Sequence, residues 1–171
     1  MSTAGRLVFF TFHGLGTPPS GLSPEDAAFW VPVSTFERIV AVLSGLPDAR
    51  ITFDDSFSTD VEIALPILLR HGLKARFFVL AGTLDAPGHL RSGDVRTLAA
   101  EGMVIGSHGM YHSDWTTLST DELYRELEES RRLLSQLTFG PVDQAACPFG
   151  AYNRQVLSCL TLAGYKEVYT S

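Results

Sequence analysis

Arg50-Ile51-Thr52-Phe53-Asp54-Asp55-Ser56 is a short apolar, β-prone run that stops abruptly in two adjacent carboxylates. Ile51 and Phe53 read as buried strand residues, and the acidic pair falls where that strand gives way to a loop. Neighbouring carboxylates repel each other, so either one of them is neutral or a cation lies between them. Asp-Asp-Ser is equally ordinary turn and helix-start chemistry. The pair therefore acquires meaning only from what surrounds it.

Upstream, the aromatic-rich run Leu7 to Phe12 reads as a strand buried on both faces and ends at His13-Gly14. Leu15 to Pro32 turns to Gly, Pro and Ser, a long loop of the kind that is usually functional or mobile. Ser34-Thr35-Phe36-Glu37 has the capping-box pattern and predicts a helix to about Leu46, with Phe36, Ile39, Val40 and Leu43 inside. Downstream, Thr59-Asp60-Val61-Glu62 repeats that pattern and predicts a helix to His71, stopped by Gly72. Pro66 inside it implies a kink or a later start. Ala75 to Leu80 reads as the third strand, Gly93 to Glu101 as a helix, and Met103 to Ser107 as the fourth strand, running straight into His108. Ser119-Thr120-Asp121-Glu122 caps the longest helix, with Leu123, Leu127, Leu134 and Leu137 on one face. Gln144 to Cys147 is the fifth strand, Asn153 to Ala163 a helix, and Lys166 to Thr170 the last strand.

Alternating strands and helices predict an α/β fold with parallel strands wrapped by helices. Six strands are too few for a regular eight-unit barrel. The expectation is a distorted, incomplete (β/α) barrel of mostly parallel strands, with an open doubly wound sheet as the alternative. Ligands of both architectures sit beyond the carboxyl ends of the strands.

At 171 residues, 45% hydrophobic and 19% charged, residues 1–171 fit one globular domain that needs no staples. A net charge of −6 without a Lys/Arg cluster argues against nucleic acid as a partner. There is no apolar run of membrane-spanning length. The apolar stretch after Met1-Ser2-Thr3-Ala4-Gly5-Arg6 is too short for a signal peptide, so the chain reads as cytoplasmic, or as a domain whose export signal lies outside it. Cys147 and Cys159 read as free, buried thiols, and their spacing fits no zinc knuckle. Oligomeric state is not legible.

The strand-end rule collects His13, Asp54, Asp55, His108 and the Pro148-Phe149-Gly150 turn on one face. His71 and His89 fall elsewhere, the first at a helix C-terminus and the second in a plain loop. His108 and His112 are four apart, a spacing that brings two imidazoles to one side of a helical turn. With one carboxylate they would make a two-histidine, one-carboxylate metal site with open positions.

Thr52-Phe53-Asp54-Asp55, then Gly106-Ser107-His108-Gly109-Met110-Tyr111-His112, then Pro148-Phe149-Gly150-Ala151-Tyr152 resemble the three ordered motifs of the polysaccharide deacetylases of carbohydrate esterase family 4, the NodB-homology domain. The similarity runs from about Leu7 to Ser171. It implies a metal-dependent hydrolase that removes N-acetyl groups from amino-sugar polymers on a distorted (β/α) barrel. By this resemblance Asp54 is the general base and Asp55, His108 and His112 bind a divalent metal, zinc first, with cobalt or nickel as alternatives. The Phe149 backbone N–H would help hold the oxyanion. The departures are Ser56 where Gly is usual, Gly109 where Ser or Thr is usual, and Ala145-Ala146-Cys147 where many members carry an Arg that bonds the base; Arg91 is a substitute without geometric warrant. No histidine follows Gly164 to protonate the leaving amine. Phe10-Thr11-Phe12-His13 has the same strand-then-His form, as in a permuted exopolysaccharide and biofilm subgroup, and so nominates His13 as general acid. Trp115 and Phe149 are the aromatics expected to stack on sugar faces. Two alternatives stay open: C–N hydrolysis of a small non-sugar amide on the same fold, and a degenerate member that binds glycan or metal without turnover.

Overall fold

The computed structural model describes residues 7–170; residues 1–6, read above for an export signal, and Ser171 lie outside them. In chain order the elements are β1 (Val8–Phe12), α1 (Pro24–Ala27), α2 (Val33–Leu43), β2 (Ala49–Phe53), α3 (Leu65–Arg70), β3 (Ala75–Val79), α4 (Ser92–Ala100), β4 (Val104–Ser107), α5 (Thr120–Thr138), β5 (Gln144–Ala146), α6 (Arg154–Leu162) and β6 (Glu167–Tyr169). The six strands pair in sequence order, every pair parallel. A flat sheet would hold the first and sixth strands about 24 Å apart at the usual spacing. Instead Phe9 of β1 and Tyr169 of β6 meet edge to face with ring centroids 5.5 Å apart. The sheet therefore curls into an incomplete barrel, and the open doubly wound alternative is ruled out.

β2 owes its central place to its side chains. Phe53 is fully buried and stacks on Phe77 at 4.7 Å, with Phe12 at 5.6 Å and Phe36 at 5.8 Å. Each such pair adds about 0.5–1.5 kcal/mol beyond its buried area. That cluster anchors the residue immediately before the acidic pair. β1 departs from expectation: Val8 and Phe9 are exposed, because it is an edge strand with one neighbour in a barrel that does not close.

The helices follow their sequence signals unevenly. At α5 the predicted box is present: Ser119 Oγ accepts the Glu122 N–H (3.4 Å) and Glu122 Oε2 accepts the Ser119 N–H (3.0 Å). Leu123, Leu127 and Leu134 form its buried stripe. α2 instead starts early, its first N–H groups at Thr35 and Phe36 bonding to the Pro32 carbonyl without a side-chain cap. The second predicted box does not form. Thr59 has helical backbone and its hydroxyl accepts the Leu15 N–H (3.3 Å), and Asp60–Ala64 winds as a π-helix ahead of α3. Pro66 supplies the reason, since it has no N–H for the regular ladder and a helix passing through it must loosen or restart. Both cysteines are free and buried. No helix among the described residues is long and apolar enough to cross a membrane.

Candidate active site

Strand pairing continues one residue past several strand ends and sets the site in register. Asp54 N–H donates to the Phe12 carbonyl (3.0 Å), His108 N–H to Val79 (2.9 Å) and Cys147 N–H to Tyr169 (2.9 Å). His13, Asp54, Asp55 and His108 thereby arrive together at the carboxyl-terminal mouth. The chain turns there through two consecutive left-handed residues, Asp55 (φ 70°) and Ser56 (φ 61°). For non-glycine residues such conformations cost about 1–3 kcal/mol each and persist only where surroundings enforce them. Ser56 does so: it is buried, its hydroxyl accepts the Leu80 N–H (2.6 Å) and its carbonyl the Leu90 N–H (2.8 Å). A glycine could hold the turn but could not make the first of these bonds.

Asp55 Oδ1 lies 3.6 Å from His108 Nε2 and 3.4 Å from His112 Nε2, and the three ligand atoms fall within 4.8 Å of one another. Ligand atoms about 2.1 Å from a tetrahedral zinc are about 3.4 Å apart, so the spacing fits a divalent cation. Asp55 Oδ1 is buried with no hydrogen-bond partner, as an oxygen reserved for a cation would be. The His108 ring is oriented by its Nδ1, 2.9 Å from the Ala146 carbonyl. A carbonyl only accepts, so Nδ1 carries the proton and Nε2 presents its lone pair. Burial, and next the neighbouring His112, holds the His108 pKa down to about 4, against the pull of Asp55. The two histidines do not share a helical turn, contrary to expectation. They lie on an irregular loop that reverses at Gly109 (φ 84°) and His112 (φ 57°).

Asp54 points its carboxylate into a cavity of about 500 Å³ inside the barrel, lined also by Thr11, Thr52, Phe78 and Tyr169. Asp55, His13 and His112 line an adjoining groove of about 380 Å³. The acidic pair is thus shared between two spaces. Burial, then the charge of Asp55, pushes the Asp54 pKa up to about 7, and its Oδ1 has no hydrogen-bond partner. Arg91 is at the N-terminus of α4, exposed, and lines neither space. His13 is held below its ordinary pKa by burial and, more weakly, by His112, with Asp55 opposing.

Four placements differ from the sequence reading or escape it. Trp115, expected to stack on sugar, is fully buried beneath the histidine loop and offers no face to a ligand, which corrects that assignment. Its large apolar ring fills core volume. His89 is not a plain loop residue but lines the groove, stacked on Phe57 at 5.6 Å. Asp60, read as a helix-start residue, is fully buried beside the acidic pair. Burial first, then Asp55 and Asp54, raises its pKa well above the ordinary carboxylate value. Glu126 of α5 carries no signal in the sequence that sets it apart from the other acidic residues of its helix. Its Oε1 accepts the N–H groups of Met110 (2.8 Å) and Tyr111 (3.3 Å), tying down the loop between the two histidines. A Cβ on Gly109 would lie 2.9 Å from that oxygen and 3.1 Å from Trp115 Nε1, which accounts for glycine there. Phe149 does stand at the groove, 67% exposed, its ring 4.4 Å from that of His112.

Two imidazoles and a carboxylate at the mouth of an incomplete parallel barrel define a class of protein in which a divalent cation and a substrate can share one opening. The polysaccharide deacetylase family model matches residues 47–168, and the chain belongs to that family, the NodB-type deacetylases of carbohydrate esterase family 4. The chitooligosaccharide deacetylase of Rhizobium leguminosarum bv. trifolii is 32% identical over 122 residues, 71% of this chain and 55% of that protein. The peptidoglycan-N-acetylglucosamine deacetylase PgdA of Listeria monocytogenes is 35% identical over 108 residues, 62% of this chain and 22% of that protein. The chain thus spans about half or less of the length of these relatives. Among solved structures, Streptococcus pyogenes deacetylase PplD in complex with acetate superposes with a TM-score of 0.81 at 21% identity, covering 94% of this chain and 81% of that one. This last likeness is one of fold.

Proposed function

We propose that the chain is a metal-dependent hydrolase that removes N-acetyl groups from an amino-sugar polymer. The observation that carries the reading is the Asp55–His108–His112 cluster, with Oδ1 to Nε2 separations of 3.6 and 3.4 Å, beside a second, buried carboxylate. A bound divalent cation, zinc by preference, would supply Lewis acidity toward water and the amide carbonyl. Asp54, its proton affinity raised to about 7 by burial, takes the proton of the attacking water. His13, on the groove wall, returns a proton to the nitrogen as the C–N bond breaks, so that acetate and a free amine leave. The Phe149 backbone N–H, at the left-handed turn opposite, is the donor for the developing oxyanion. Release of acetate from N-acetylglucosamine oligomers with added Zn²⁺, against D54N as control, tests this. Metal content of the purified protein and of H108A tests the ligand set separately. Metal binding with acetate release no greater than that of D54N would establish a binding protein instead.

A further inference from the structure

The segment between β1 and α2 is built rather than slack. Its two ends are clamped together: Val31 N–H donates to the Gly14 carbonyl (3.0 Å) and Gly16 N–H to the Val31 carbonyl (2.9 Å). Trp30 occupies the space that a side chain at Gly14 would need, a Cβ there falling 2.1 Å from its ring. Trp30 also packs on Phe57 at 5.0 Å. The excursion between the clamped ends forms a wall of the groove that contains Asp55 and His112. On that wall Phe29 is 57% exposed with its ring 5.1 Å from that of His13. Asp26 lines the same groove, its Oδ2 oriented by the Ser23 hydroxyl (2.9 Å).

A solvent-facing phenyl ring next to an oriented carboxylate is chemistry that fits a sugar. The ring takes the apolar C–H face and the carboxylate accepts hydroxyl protons. The groove lining holds two carboxylates and three imidazoles and neither Lys nor Arg. Apart from the cation proposed at Asp55 and the proton His13 carries, nothing in that lining compensates an anionic ligand, and an anionic sugar unit seated against Asp26 would meet like charge.

We infer that Phe29 and Asp26 form a binding subsite for the sugar unit next to the one being deacetylated, and that the polymer is a neutral amino-sugar chain. This rests on the function proposed above and adds to it a subsite and a charge class. The test compares wild type, F29A and F29Y on N-acetylglucosamine monomer and tetramer. F29A is expected to raise KM for the tetramer about tenfold and to erase most of the tetramer-over-monomer preference, with F29Y restoring it. Binding to the D54N protein, measured by calorimetry, gives a readout independent of turnover. The tetramer is expected to bind about tenfold more weakly to D54N/F29A, and a hyaluronan tetrasaccharide, which carries uronic acids, more weakly than the neutral tetramer to D54N itself. Loss of wild-type acetate release alone would remove the proposed activity and leave the subsite to the binding arm. Equal tetramer affinity with and without Phe29 would overturn the subsite, and equal affinity for the two oligosaccharides would overturn the charge class.

Discussion

Replacing the proposed base by asparagine should make the metal-free protein more stable while removing its activity. Asp54 has its pKa raised from the ordinary 3.8 to about 7 by burial and by Asp55. The folded state then holds a proton that the unfolded chain has lost at the same pH. Stability from this group is fully present below pH 3.8 and is lost as pH rises through about 7. The full rise is worth about 4 kcal/mol at about 1.36 kcal/mol per pKa unit. Asp54 keeps some contact with solvent, which retains part of its hydration, so about 2 kcal/mol is the expected effect above pH 7. D54N carries no charge at any pH and escapes the penalty. Urea unfolding of both proteins in EDTA, from pH 5 to pH 8, measures the gap directly. D54N should be the more stable at pH 8, with the difference shrinking by about 1 kcal/mol toward pH 5, the remainder disappearing only as pH falls to 3.8. A difference that does not change with pH, or a D54N protein less stable at pH 8, would refute the assignment of Asp54 as a carboxylate strained by its burial.

G109A should destabilise the fold by about 2 kcal/mol or more, through a left-handed alanine pressed on Glu126 and Trp115; urea unfolding measures it, and an unchanged midpoint would count against the packing described. E126A leaves the Met110 and Tyr111 N–H groups without their acceptor and should weaken Zn²⁺ binding about tenfold in a calorimetric titration, with E126Q recovering most of the loss. W115A should cost about 3–5 kcal/mol of stability, the penalty of emptying a core site. In a folded W115F protein, KM for the N-acetylglucosamine tetramer should match wild type, and a large rise would return Trp115 to the groove.

Much of this molecule is readable before it is folded, because it rests on local periodicity. Each of the six strands falls within a residue or so of its apolar run, and Ser119 with Glu122 marks the longest helix at its first turn. The rule that strand ends carry the chemistry brings His13, the acidic pair and His108 to one mouth, since parallel strands all point the same way. Local signals mislead where a distant partner outbids them. Thr59 has the pattern of a helix cap, yet its hydroxyl bonds Leu15, 44 residues away in sequence. Trp115 lies within three residues of His112, yet it packs into the core.

What the chain by itself determined is the order of its elements and the chemical types at the strand ends, because periodicity and strand direction are local properties. Only the tertiary structure decided which of those side chains share a space: that His89 faces the groove, that Glu126 holds the histidine loop, that Asp60 is buried beside Asp54 and Asp55. Burial and proton affinity are set by what packs against a group, and for these residues the neighbours come from elsewhere in the chain.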